Sequence, residues 1–181
     1  MEPRARLIAI LGTAATAALI SATGSFEGRK LDPYRDIGGV WTVCDGDTHN
    51  VEMRKYTPAE CDARLASNLF SHDADISRCI PMAGVPTNVH AALIDMAFNS
   101  GAGTVCGGSI PKKVKAGDYD DACETILQYR FAAKGTIDCS VRSNNCYGVY
   151  RRRLFEREWC QGHLTNEQIA KGWQGYVEAE K

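Results

Sequence analysis

Glu27 and Asp36 stand nine residues apart, and Thr42 follows six residues later. Two carboxyls and a hydroxyl in one short stretch can do general acid–base chemistry if one carboxyl keeps its proton while the other gives its proton up. Glu27 is the better placed to stay protonated, because it ends a largely apolar segment beside Phe26 and burial disfavours a charged carboxyl. Asp36 stands among Tyr34, Arg35, Gly38 and Gly39, a polar setting in which it can remain ionised. Taken alone the spacing is weak, since any charged turn offers such residues. It needs elements that bring the three together.

From 27 to about 56 the chain is rich in Gly and Asp and carries the strand formers Ile37, Val40, Trp41, Thr42 and Val43, followed by Asp45-Gly46-Asp47. That pattern predicts a small hairpin or short sheet. Helices follow. Thr57-Pro58-Ala59-Glu60 is a capping box with Pro at the first helical position, and Cys61, Leu65 and Leu69 recur on one face. After a turn-forming stretch from Ile80 to Pro86, Thr87 and Asn88 can cap a buried helix whose Val89, Leu93, Met96 and Ala97 share a stripe. Helical spacing recurs over Asp118–Tyr129 and Gly148–Cys160. Thr165-x-x-Gln168 can cap a last helix containing Ile169, Trp173 and Val177. Strands early and helices late make an α+β fold. The basic run Arg151, Arg152, Arg153 reads equally as a solvated helix face or as part of a site.

At 181 residues the chain suffices for one domain with a short appendage, and with a net charge of −1 nothing global points to nucleic acid, which requires a concentrated basic surface. The eight cysteines, at 44, 61, 79, 106, 123, 139, 146 and 160, point to an oxidising compartment and to disulfides. No pair has the spacing of a zinc knuckle, and His49, His72, His90 and His163 are scattered, so zinc is disfavoured. Eight cysteines allow about 105 pairings; nearness in sequence favours Cys44 with Cys61 and Cys139 with Cys146. Twenty uncharged residues, 7–26, follow Arg4 and Arg6. They form an export signal and a weak membrane span, since most are Ala, Gly, Thr and Ser; a cleavable signal peptide cut after Ala22 is the alternative.

The run Glu27, eight residues, Asp36, five residues, Thr42 resembles the signature of the phage-lysozyme family, glycoside hydrolase family 24. The resemblance takes in Tyr34, Gly38 and Gly39, then Ala91-Ala92-Leu93 and Ala97 to Gly103, and the helix Gly148 to Glu158, covering about residues 26–160. It implies a lysozyme-like fold with a small β-hairpin lobe, a larger helical lobe and an active-site cleft between them. It further implies hydrolysis of the β-1,4 bond between N-acetylmuramic acid and N-acetylglucosamine in peptidoglycan, without a cofactor. Glu27 would be the general acid, and Asp36 and Thr42 would position and activate the water. Phe98 and Asn99 would line the saccharide cleft, and Arg152 would approach Glu27, unless it merely pairs at the surface with Glu156. Asp47 departs from the family, many members of which carry histidine there; with Asp45 it would add negative charge near the cleft, or mark a solvated turn. The plan is similar to that of the signal-arrest-release endolysins, which implies a membrane segment over 1–26 and a catalytic domain over 27–181. It also implies export through the host Sec machinery, a tether in the inner membrane through residues 7–26, later release into the periplasm, and a pore-forming holin as a candidate partner in host lysis. With Asp at 36 and the first cysteine at 44, latency by misplacement of Glu27 fits better than latency by disulfide exchange. A noncatalytic wall-binding module on the same fold, a lytic transglycosylase and a holin-like membrane protein are the competing readings.

Overall fold

A computed structural model describes residues 2–36 and 38–180; Ile37, counted above among the strand formers, lies outside the described residues. The apolar N-terminal segment does not form one straight helix. It forms α1 (Pro3–Leu11) and α2 (Thr13–Glu27), bent by 119° at Gly12. Gly12 adopts φ +83°, a backbone region that a side chain rarely tolerates, and so permits the break. Leu7, Leu11, Ala18, Leu19, Ile20 and Ala22 are buried in the main core rather than presented outward.

Gly28, in the left-handed conformation, ends α2 and turns the chain into the hairpin of β1 (Lys30–Arg35) and β2 (Trp41–Cys44). The strands run antiparallel, with Tyr34 opposite Thr42 and Arg35 opposite Trp41, and the register shifts between Lys30 and Tyr34. Pro33, which has no N–H to give the ladder, lies within that irregularity. Val43, Cys44, Tyr56 and Cys61 form a second, smaller core beneath the hairpin.

The helical lobe starts with α3 (Pro58–Ile76), whose capping box between Thr57 and Glu60 is formed as expected. In α4 (Thr87–Ser100) every side chain from Val89 to Ala97 is buried, as befits a helix enclosed on all sides. Neither Thr87 nor Asn88 caps it: Pro86 precedes it without a side-chain bond, and Asn88 Nδ2 instead donates to the Cys160 carbonyl at 2.5 Å. Short helices α5 (Ala102–Gly107), α6 (Ile110–Ala116) and α7 (Tyr119–Thr125) follow, then a two-residue ladder of β3 (Phe131–Ala132) with β4 (Ile137–Asp138). None of α5, α6, β3 or β4 was anticipated. The helix α8 (Tyr147–Cys160) packs across α4. The single final helix expected from Thr165 onward is two, α9 (Asn166–Ala170) and α10 (Trp173–Ala179), because the chain turns at Gly172 with φ +58°. The Thr165–Gln168 capping box is present.

All eight cysteines are paired. Cys44–Cys61 and Cys139–Cys146 are the pairs that nearness in sequence favoured; Cys79–Cys106 ties the turn after α3 to α5, and Cys123–Cys160 joins α7 to α8. The first bridge fastens β2 to α3, and Arg29 and Arg64 reinforce it. Arg29 spans Asp45 on the hairpin (2.8 Å) and Asp62 on α3 (2.7 Å), while Arg64 on α3 reaches Asp47 at 2.6 Å.

Candidate active site

Glu27 is the last residue of α2, at the point where the helical lobe meets the hairpin, and its side chain is 25% exposed. Its nearest charged neighbour is Arg152 on α8, whose Nη1 donates to Glu27 Oε1 at 2.5 Å; Oε2 has no hydrogen-bond partner among the described residues. The apolar wall expected around Glu27 is therefore only partly present, since a guanidinium faces its carboxyl. Phe26 turns inward, packing against Phe155 with ring centroids 5.2 Å apart, and the Arg152 guanidinium carbon lies 5.0 Å from the centre of its ring.

The solvated-face reading of Arg152 and Arg153 fails, because both are buried. Beyond Glu27, Arg152 binds Asp95 of α4 through Nε at 3.2 Å and Nη2 at 3.0 Å, and lies 3.3 Å from Glu156. Arg153 Nη2 donates to Glu156 at 2.7 Å and to Asn99 Oδ1 at 2.7 Å. Burial opposes the Arg152 charge, but Asp95 and Glu156 more than offset this and hold its pKa above the usual guanidinium value. Burial also works against the Asp95 carboxylate, yet the charge and hydrogen bonds of Arg152, with those from Thr23 and Glu156, bring its pKa below the ordinary value. Glu156 goes the other way. Full burial, reinforced by the negative charge of Asp95, pushes it well above the carboxylate range against the pull of Arg153 and Arg152. Arg152 and Arg153 between them thus bind three carboxyls, those of Glu27, Asp95 and Glu156.

Glu27, Asn99, Val149, Arg151, Arg152 and Trp173 are among the walls of a cavity of about 540 Å³. A second cavity of about 480 Å³, bounded by Tyr129, Phe131 and Arg153, shares Asn99 and Val149 with the first, so the two adjoin as one groove along the helical lobe. Asn99 thus stands where a cleft residue should. Phe98 does not line this cavity; it is partly buried against the core, edge-on to His72 at 5.6 Å.

Asp36 and Thr42 are held on the hairpin, outside the lining of the Glu27 cavity. Asp36 Oδ1 accepts from the Val40 backbone N–H at 2.8 Å, tightening the turn before β2, and buried Thr42 donates to the Val40 carbonyl at 3.1 Å. Trp41, exposed beside them, carries the Arg35 guanidinium over its ring at 4.6 Å. Asp45 and Asp47 are neither solvated nor free to charge the cleft, since both are buried and matched by Arg29 and Arg64. Sequence reasoning missed Asp95, Glu156 and Trp173 as neighbours of the site. An acid in the middle of the apolar stripe of α4 was the available signal for Asp95.

The phage lysozyme family model matches residues 24–156. The chain belongs to the phage lysozyme family. A SAR-endolysin of Enterobacteria phage P21 is 32% identical over 142 residues, covering 77% of this chain and 80% of that one. A SAR-endolysin of Escherichia phage Mu is 41% identical over 102 residues, 56% of this chain and 59% of the relative. Among solved structures, the active form of the P1 phage endolysin superimposes with a TM-score of 0.66 at 23% identity over 92% of this chain and 97% of that one. A P22 lysozyme mutant gives 0.65 at 21% identity, over 79% and 94%. The fold of this phage lysozyme is therefore lysozyme-like α+β, and the enzyme is of the glycosidase, muramidase type.

Proposed function

We propose that this phage lysozyme is an endolysin that hydrolyses the β-1,4 bond between N-acetylmuramic acid and N-acetylglucosamine of peptidoglycan and so lyses the host. The carrying observation is the Glu27 carboxyl, on a cavity wall and oriented through one oxygen by buried Arg152. With Oε1 so held, Oε2 is the atom to carry the proton to the leaving glycosidic oxygen. As the bond breaks, positive charge develops at the sugar's anomeric carbon, and a water adds there. Asp36 takes a proton from that water and Thr42 orients it. Both need a shift from the bonds they make in the hairpin, where Asp36 accepts from Val40 and Thr42 donates to it. Asn99 contributes a polar contact to the saccharide along the groove.

The N-terminal residues 1–26 act in this proposal as an uncleaved signal-arrest-release segment ahead of a catalytic domain over 27–181. Exported by the Sec machinery, the chain is first tethered in the inner membrane through residues 7–26, then released into the periplasm, a holin assisting. Among the described residues no single helix is long and apolar enough to cross a membrane, whereas α1 and α2 taken together are. The names of the relatives and the two-fold use of the same apolar side chains support this reading. Leu7, Leu11, Leu19 and Ile20 would face lipid before release, and they fill the core in the folded domain. A cut after Ala22 would strip those side chains from the core, which favours retention of the segment over cleavage. Mass spectrometry of products from purified peptidoglycan tests the chemistry: hydrolysis leaves reducing N-acetylmuramic acid ends, and an anhydro product would assign lytic transglycosylation instead.

A further inference from the structure

Thr23 and Glu27 lie one turn apart on α2 and reach the same two side chains. Thr23 Oγ1 donates to Asp95 Oδ1 at 2.6 Å, Arg152 Nη1 donates to Glu27 Oε1 at 2.5 Å, and Arg152 Nη2 donates to Asp95 Oδ1 at 3.0 Å. The four groups form a ring that joins α2, α4 and α8, and within it Thr23 and Asp95 are wholly buried. Phe26, against Phe155, is one specific contact of α2; the rest of its buried face, Thr16, Ala18, Leu19, Ile20 and Ala22, carries among the described residues no polar bond that would fix the rotation of the helix, which leaves Thr23 as the buried polar link. A slip of one residue would rotate α2 by about 100° and break both bonds, leaving a buried carboxylate short of a donor.

We propose that Asp95 and Thr23 are positioning residues for the reaction: together they fix the rotation of α2 and the plane of the Arg152 guanidinium, so that the Glu27 carboxyl faces the cavity. This rests on Glu27 being the acid. It also gives the seated segment a polar signature that a merely apolar insertion would lack, since Thr23 reaches Asp95 only when α2 is in register.

The test measures kcat and KM of the purified full-length chain on soluble peptidoglycan fragments, per folded molecule. Thr23→Val should lower kcat by about 3- to 10-fold, the equivalent of one hydrogen bond, at unchanged KM. Thr23→Ser, which keeps the hydroxyl, should restore it, and Asp95→Asn should lose at least as much as Thr23→Val. Thr16→Val, which removes a buried hydroxyl without a hydrogen-bond partner among the described residues from the same helix, should keep wild-type kcat. A folded Thr23→Val with wild-type kcat, or a Thr23→Ser as impaired as Thr23→Val, overturns the proposal. Should Asp95→Asn fail to fold, the Thr23 series still decides. Activity remaining in Glu27→Gln would instead remove the reading beneath it, so the two failures are distinguishable.

Discussion

Replacing Glu156 by Gln tests whether the buried cluster holds this side chain neutral. Its carboxyl is fully buried between Arg152, Arg153 and Asp95, and burial raises its pKa well above the ordinary value. An acid whose folded pKa is raised contributes stability that is fully present below its unfolded pKa, about 4.3, and is lost as pH rises through the folded pKa. Within that window each pH unit costs about 1.4 kcal/mol, so the wild type should lose stability from this group as pH rises above the unfolded value. In a chain of this size each such pH unit corresponds to a fall in melting temperature of about 3 to 6 °C. Gln keeps the size and a hydrogen-bond donor toward Asp95 but cannot ionise, so Glu156→Gln should lack this decline. Urea unfolding of both proteins from pH 4.5 to 8 measures the difference, and other groups largely cancel in it. The variant should gain on the wild type steadily as pH rises. A difference independent of pH, or one moving the other way, would show that Glu156 is ionised in the folded protein.

Mass mapping without reductant should find the four bridges and no free thiol in exported protein. Replacing Cys123 and Cys160 by Ala should cost about 2 to 5 kcal/mol in urea unfolding, and an unchanged midpoint would deny that bridge a role. Gly12→Leu should act at both ends of the release equilibrium, since it adds apolar surface to the segment and costs about 1 to 3 kcal/mol at φ +83°, ψ 163° in the folded domain. Fractionation and lysis timing around addition of a membrane uncoupler should show more of this variant retained in the membrane and later lysis. A wild-type chain found soluble and shortened by about 22 residues would replace release with signal cleavage.

Features written within a few residues were legible in the sequence, and features assembled across the fold were not. The capping boxes at Thr57 and Thr165 formed because both halves lie within one turn. Asn88, a good cap by type, was drawn off to a carbonyl on α8 that local reasoning cannot see. Nearness found Cys44–Cys61 and Cys139–Cys146, but the other two bridges depend on helix packing. Arg152, Arg153 and Glu156 carry the spacing of a solvated ion-paired face, and only the tertiary fold shows that this face is interior. The apolar residues of 7–26 are equally suited to lipid and to a protein core, which is why their composition alone could not reveal the bend at Gly12. The approach of Arg152 to Glu27 came from family resemblance; the spacing of residues 125 apart carries no such signal.

The most direct test of the account is Glu27→Gln, measured as clearing of chloroform-treated Gram-negative cells alongside circular dichroism and thermal unfolding. An amide keeps the size of the side chain and an oxygen for Arg152 but cannot give a proton to the leaving sugar oxygen. The account predicts a folded protein with lytic activity lost. A folded Glu27→Gln protein that clears cells at near the wild-type rate would contradict it.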